Sequence, residues 1–122
     1  MANEITYKVS MFFEKGNIPR TGDSSGLRLV TLSGDDFEFR TQLVGTSEEA
    51  LHVGDVGTPG MCLMQNLDDT NFVSVRAATG AANTVELKAG EWSLFRLART
   101  ATAPYVIANT ANVRIRYLLL ED

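Results

Sequence analysis

Apolar and polar residues alternate along the segments near both ends of this chain. In residues 5–13 the apolar members of the alternation are Ile5, Tyr7, Val9, Met11 and Phe13. Near the C-terminal end they are Val113, Ile115, Tyr117 and Leu119. A period of two is typical of a β-strand with one face against a core. Both segments are therefore predicted to be strands.

Shorter apolar runs lie between these two segments and are separated by glycine, aspartate and asparagine, the residues that favour turns. A spacing of about 8–12 residues between such runs is typical of an antiparallel sandwich or barrel. We predict an all-β fold, a single antiparallel β-sandwich domain over residues 1–122 that is jelly-roll-like, with about eight to ten strands. The intervening runs are 27–32, 37–44, 61–67, 72–77, 84–88, 92–98 and 105–108.

Two connections are short enough to predict hairpins. The turn residues between Leu67 and Phe72 predict that the run at 61–67 pairs with the next one along the chain. Those between Leu87 and Trp92 predict the same for the run at 84–88 and its successor.

The segment Gly45–Leu51 interrupts the strand pattern. Thr46 or Ser47 is suited to cap a helix, and Glu48 and Glu49 then fall in its first turn. We predict at most one short helical turn here. The glycine-rich residues 54–60 that follow predict a surface loop.

The alternation also predicts which side chains fill the core. The predicted set is Ile5, Tyr7, Val9, Met11, Leu29, Phe37, Phe39, Leu63, Val73, Val75, Leu87, Leu94, Phe95, Ile115 and Tyr117.

Composition narrows the function classes. The chain has 122 residues, 44% hydrophobic and 21% charged, which predicts one folded core and excludes intrinsic disorder. Its net charge of −4 is opposite in sign to that of nucleic-acid and anionic-membrane binders, so we expect neither partner. The single cysteine forbids an internal disulfide, and the N-terminal residues lack a signal-peptide pattern. We expect synthesis in a reducing cytosol.

The residues that could carry chemistry do not form a catalytic pattern. His52 is the only histidine, and Cys62 lies among apolar neighbours, as a small core residue would. The acidic pairs at 35–36, 48–49, 68–69 and 121–122 are adjacent in sequence, so their side chains point apart on a strand rather than converging on a metal or substrate. The glycines at 54–60 precede a strand rather than a helix, which excludes a dinucleotide loop. We expect no enzyme activity, no metal and no cofactor.

The aromatic residues and the arginines each allow two interpretations of their role. Trp92, Phe95 and Tyr105 are suited either to stack against a ligand or to pack in the core. Eight of the 11 basic residues are arginine, a side chain favoured at interfaces. Those beside apolar strand positions either contact a partner or form a solvated face; they are Arg96, Arg99, Arg114 and Arg116.

Several strings in the chain resemble small structural proteins encoded by tailed bacteriophages. They are LKAGEWSLFRL at 87–97, ANTANVRIRYLLLED at 108–122, GTSEEAL at 45–51, TPG at 58–60 and QNLD at 65–68. The resemblance extends from about residue 43 onward and assigns no role to individual residues.

This resemblance implies a virion protein made in the host bacterial cytoplasm. The role it favours is a minor capsid cement or decoration protein that binds the major capsid protein and stabilises the shell, as a homo-oligomer with a trimer favoured. Two alternatives stay open: a neck or tail adaptor, and a glycan-binding module of a tail or fibre that stacks sugars on Trp92 and Tyr105. The candidate subunit or capsid contacts are Trp92, Arg96, Arg99, Tyr105, Arg114 and Arg116.

Overall fold

Strands and turns make up the fold, with no helix in the part of the chain that the structure describes. The structure is a computed structural model and describes residues 2–98 and 104–122. Its strands are β1 (Ile5–Tyr7), β2 (Ser10–Lys15), β3 (Ile18–Ser24), β4 (Arg28–Val30), β5 (Phe37–Val44), β6 (Glu49–Ala50), β7 (Pro59–Asn66), β8 (Val73–Arg76), β9 (Val85–Leu87), β10 (Trp92–Arg96), β11 (Tyr105–Ala108) and β12 (Val113–Glu121).

The chain divides into two compact units, one ending at Ser33 and the other beginning at Gly34. In the first unit, β2 pairs with β3 and β1 pairs with β4, both antiparallel, so one hairpin is nested inside the other. Every residue of β2 and β3 is exposed. We predicted one sandwich over residues 1–122, whereas the strands of the sandwich all lie in the second unit.

The second unit is a sandwich of two four-stranded antiparallel sheets. One sheet has the order β10-β7-β12-β5 and the other the order β6-β11-β8-β9. The pairs β5/β12, β6/β11, β7/β10 and β8/β9 are nested in sequence and fall alternately in the two sheets. This is a long hairpin rolled into two layers, the jelly roll that the sequence predicted.

Both predicted hairpins are wrong, because each short connection crosses from one sheet to the other. The buried side chain of Asn66 holds the first crossing in place: its Nδ2 donates to the carbonyls of Asn71 (2.9 Å) and Leu87 (3.0 Å). The Asp68 carboxylate accepts the backbone N–H groups of Thr70 and Asn71. These bonds bend the chain over the end of the sandwich, so β7 and β8 cannot lie side by side.

The segment Gly45–Leu51, for which at most one helical turn was predicted, forms none in the described structure. Thr46 and Ser47 form bends, and Glu49 belongs to β6. The acidic side chains bond across the fold rather than to a helix N-terminus: Glu49 accepts from the backbone N–H of Gly45 and the amide of Gln42. The predicted loop at 54–60 also ends early, because Pro59 already lies in β7.

The predicted core is confirmed in part. The buried members of the predicted set are Val73, Val75, Leu87, Ile115 and Tyr117. Those that are half-buried are Ile5, Tyr7, Leu94 and Phe95. The prediction is wrong for Val9, Met11, Leu29, Phe37, Phe39 and Leu63, which are exposed. In the first unit, Met11 and Leu29 lie on two-stranded ribbons and Val9 lies on the connection between β1 and β2. The last three face away from the sheet β6-β11-β8-β9.

Gln42 is the polar residue on which the packing of β5 depends. Its side chain is buried, and its amide nitrogen Nε2 donates to Glu49 Oε1 (3.0 Å) and to the carbonyl of Ala50 (3.1 Å). Its Oε1 accepts the backbone N–H of His52 (3.0 Å) and lies 3.3 Å from the hydroxyl of Tyr117. The amide therefore joins β5 to β6 and to the central strand β12.

We expect Gln42→Leu to lower the free energy of unfolding by about 2–3 kcal/mol, because it leaves the buried partners of this amide without hydrogen bonds. Urea denaturation measures the change. The matched control is Gln65→Leu on β7, where the side chain faces outward, and its expected cost is below about 1 kcal/mol. Equal losses in the two variants would contradict the role given to Gln42.

A second polar cluster fixes the loop between β8 and β9. The hydroxyl of Thr79 (2.6 Å), the backbone N–H of Gly80 (2.7 Å) and the guanidinium of Arg76 (2.9 Å) all donate to the Glu48 carboxylate. In that order of importance they hold the pKa of Glu48 below its ordinary value of 4.5. The carboxylate is therefore favoured in the folded state.

Because the folded pKa is depressed, the stability from Glu48 is present above its unfolded pKa and is lost as the pH falls through the folded value. We expect the melting temperature to hold from pH 7 to about pH 5 and to fall below that. Glu48→Gln lowers the melting temperature at pH 7 and reduces its further decrease between pH 7 and about pH 3. The control Glu86→Gln changes an exposed carboxylate on β9. A Glu48→Gln protein with the wild-type pH profile would contradict this assignment.

Candidate interaction surface

One side of the sheet β10-β7-β12-β5 faces away from the other sheet, and its side chains alternate with those of the core. In β12, Ile115 and Tyr117 are buried, whereas Arg114 and Arg116 are exposed. The same alternation continues on the neighbouring strands. We call this side the outer sheet face; it comprises Phe37, Phe39, Thr41, Leu43, Met61, Leu63, Gln65, Trp92, Leu94, Arg96, Arg114, Arg116, Leu118 and Leu120.

Large apolar side chains are exposed on this face. The exposed fractions are 64% for Phe37, 53% for Phe39, 58% for Trp92, 50% for Leu43 and 37% for Leu63. With about 200 Å² for a full aromatic side chain, the three aromatics alone expose roughly 350 Å² of mostly apolar surface. Patches of about 300–600 Å² are the largest on ordinary monomers and are often functional.

Strand register aligns these side chains in rows. Phe39, Leu118 and Leu63 are direct neighbours across three strands, and Leu94 continues the row on β10. A shallow pocket of about 120 Å³ lies beside this row, and its lining residues are Phe39, Leu63, Trp92, Arg116, Tyr117 and Leu118. The pocket has the size of one apolar side chain, so it is suited to receive an anchor from another protein.

The charges on the outer sheet face are positive. The guanidinium of Arg116 lies 5.1 Å from the ring centre of Phe39, a cation–π contact. Arg96 bonds to Asp122 at 3.2 Å, whereas neither Arg114 nor Arg116 forms an ion pair with any residue that the structure describes. On a protein of net charge −4, these two free guanidinium groups favour a partner that presents carboxylates.

The structure gathers most of the predicted contact residues. Trp92, Arg96, Arg114 and Arg116 all belong to the outer sheet face. Tyr105 does not: it lies on β11, and its neighbours Val106 and Ala108 point into the core, so Tyr105 faces outward from the other sheet.

Trp92 and Tyr105 therefore do not form one stacking platform. Arg99 lies outside the described residues. Phe37, Phe39 and Leu63, which the alternation predicted to be core residues, belong to this exposed face. No local signal marks Phe37 and Phe39 as exposed, because Gln42 of the same strand is buried only through partners on other segments, Glu49, Ala50 and His52.

The structure also shows the surroundings of the residues that were considered as catalytic or metal-binding candidates. Cys62 is fully buried, and this burial raises the pKa of its thiol to about 12, so the thiolate that a nucleophile requires is suppressed. The side chain of His52 is exposed, and its backbone bonds to Gln42 and Tyr117. Among the described residues, no three histidine, cysteine or carboxylate side chains gather as a metal site would require. The same residues include no helix of the length and hydrophobicity needed to span a membrane.

We expect the single tryptophan to report on the outer sheet face. Because Trp92 is 58% exposed, acrylamide quenches its fluorescence efficiently in the free protein. Covering the face with a partner shifts the emission to shorter wavelength and lowers the quenching constant by about threefold or more. The control is the Trp92→Phe protein, which removes the signal. A quenching constant typical of a buried tryptophan in the free protein would contradict this exposure.

Comparison with protein-family models gives no match, and comparisons with curated proteins and with solved structures give none either.

Proposed function

We propose that this protein is a structural subunit that docks onto a larger assembly through its outer sheet face, and specifically a cement or decoration protein of a tailed-bacteriophage capsid. The observation that carries the docking role is the exposed apolar row with its unpaired arginines. The capsid is proposed from the resemblance of the sequence to phage structural proteins. The protein would then be made in the bacterial host and reside in the virion.

The composition of the outer sheet face supports docking. Tryptophan, arginine and phenylalanine are the side chains enriched at the centres of protein interfaces. The row around Leu63 is apolar, and the pocket beside it is suited to one apolar anchor. Arg114 and Arg116 stand at the side of this row, where they are placed to pair with carboxylates of the major capsid protein.

A cement role requires contact area rather than an active site. A protein that binds the assembled shell but not its free subunits stabilises the shell by mass action. A standard interface buries about 800 Å² on each partner, and the apolar part of the outer sheet face supplies a large share of that.

The first unit supports the same role. A two-stranded ribbon is at best marginally stable in water by itself. Its exposed apolar side chains include Met11 (79%), Phe12 (47%) and Phe13 (52%). Such a ribbon is stabilised when a neighbouring protein covers it, as occurs on a crowded capsid surface.

Two other assignments differ in what they require. A neck or tail adaptor would use the same face at a much lower copy number. A glycan-binding module would use aromatic stacking, but Trp92 and Tyr105 lie on different sheets and would have to serve separate sites. We therefore favour the capsid role.

We expect the protein to bind expanded shells that lack it, and we expect this binding to be saturable. Trp92→Ala combined with Leu63→Ala weakens this binding about thirtyfold or more, which is about 2 kcal/mol for loss of an interface hot spot. The matched control is Tyr105→Ala on the other sheet, with an expected change below about threefold. Co-sedimentation with shells measures all three.

Copy number in purified virions distinguishes the assignments. Quantitative mass spectrometry is expected to give hundreds of copies per particle, comparable with the major shell protein. A count near six or twelve would favour the neck or tail adaptor. Absence of shell binding, together with Trp92 quenching by host glycans, would favour the glycan-binding module.

A further inference from the structure

Strand β5 is a long, open edge of its sheet. It has eight residues and pairs only with β12 among the described residues. The Asp36 carbonyl accepts the backbone N–H of Glu121, so even-numbered positions of this segment direct their backbone groups toward β12. The N–H and C=O groups of Phe37, Phe39 and Thr41 therefore point away from the sheet. An unpaired edge of this kind is a template for another strand.

Two opposite charges lie on this edge. Glu38 and Arg40 are two residues apart, so their side chains share the side of the sheet opposite to Phe39. Glu38 is half-buried and Arg40 is exposed. Neither forms an ion pair with a residue in the described ranges.

A lone inward charge on an edge strand discourages pairing, because pairing would desolvate it. Two opposite charges at this spacing favour pairing in one register. When two copies of β5 pair antiparallel about a two-fold axis at Phe39, Glu38 of each copy lies directly opposite Arg40 of the other. The pairing then contains two opposite-charge pairs.

The backbone fits the same register. Phe39 directs its N–H and C=O outward, so the two copies of Phe39 exchange two hydrogen bonds across the axis. Glu38 and Arg40 then occupy the positions between the hydrogen-bonded pairs, where facing side chains are closest, with Cα atoms about 4.5 Å apart. Moving the axis to Arg40 places arginine against arginine, and moving it to Glu38 places glutamate against glutamate. Like charges in direct opposition are destabilising, so the charges select the register centred on Phe39.

We propose that β5 binds β5 of a second copy of this chain in this register, joining the two sheets into one antiparallel sheet of eight strands. The occupant is a second copy because the charge pattern is complementary to itself under two-fold symmetry. The two outer sheet faces become continuous across Phe39, which roughly doubles the docking surface. Pairing through one strand buries less than a standard interface, so the dimer is weak and depends on concentration.

This contact is independent of the proposed capsid role. It depends on Glu38 and Arg40, which lie off the outer sheet face, whereas shell binding is tested at Trp92 and Leu63. The trimer implied by the family resemblance requires a different contact, because pairing of a strand with its own copy closes at two subunits.

Charge reversal tests the contact. In sedimentation equilibrium the wild-type chain is expected to show a monomer–dimer equilibrium at concentrations up to about 0.5 mM. Glu38→Arg alone and Arg40→Glu alone each place like charges opposite one another twice, and each weakens the dimer about tenfold or more. The double variant Glu38→Arg with Arg40→Glu restores it to within about threefold of wild type. Glu86→Arg on the other sheet is the control for net charge.

Mixing the two single variants tests the contact with each variant serving as the other's control. The Glu38→Arg copy carries two positive charges on its edge and the Arg40→Glu copy carries two negative charges. An equimolar mixture is therefore expected to form a heterodimer that neither variant forms as a homodimer, detected by native mass spectrometry. A wild-type chain that stays monomeric, a trimer insensitive to these charges, or a mixture that stays monomeric would each overturn the proposal. Loss of shell binding in Trp92→Ala with the dimer intact bears on the proposed function alone.

Discussion

The buried amide of Gln42 is the constraint on which the useful surface of this protein depends. Its donors and acceptor are satisfied only when the side chain points into the sandwich, toward β6 and Tyr117. Because side chains alternate along a strand, this orientation directs Phe37, Phe39 and Leu43 outward. A slip of one residue would bury the aromatics and expose the amide, leaving its partners unsatisfied. The outer sheet face is therefore apolar because the core requires the amide of Gln42 to point inward.

Strand β12 shows what the sequence was able to predict. Its alternation is clear over residues 113–117, since Arg114 and Arg116 occupy the outward positions and Val113, Ile115 and Tyr117 the inward ones. The strand type, the buried face and the location of Arg114 and Arg116 on a common outer face all follow from that pattern. The jelly-roll class followed from the number and spacing of such strands.

Strand β5 and the short connections show why the rest could not be predicted. In β5 both faces contain apolar residues, so periodicity alone does not identify the buried one, and the choice depends on partners of Gln42 that are distant in sequence. The connection at Asp68 has the length of a hairpin turn, yet Asn66 bonds to Leu87, 21 residues away, and bends the chain to the other sheet. Long-range hydrogen bonds decided both cases, and local pattern does not encode them.

The nested strand order has a consequence for how the protein is made. Strand β12 lies between β5 and β7, so these two strands have no contact in their sheet until β12 is present. Because β12 follows the other described strands along the chain, β5 is synthesised well before its partner and waits while the residues between them are translated, which takes several seconds at roughly 5–20 residues per second. During that time Phe37, Phe39 and the open edge are available to other nascent chains. The native topology therefore leaves β5 without its sheet partner for longer than any other strand of this sheet.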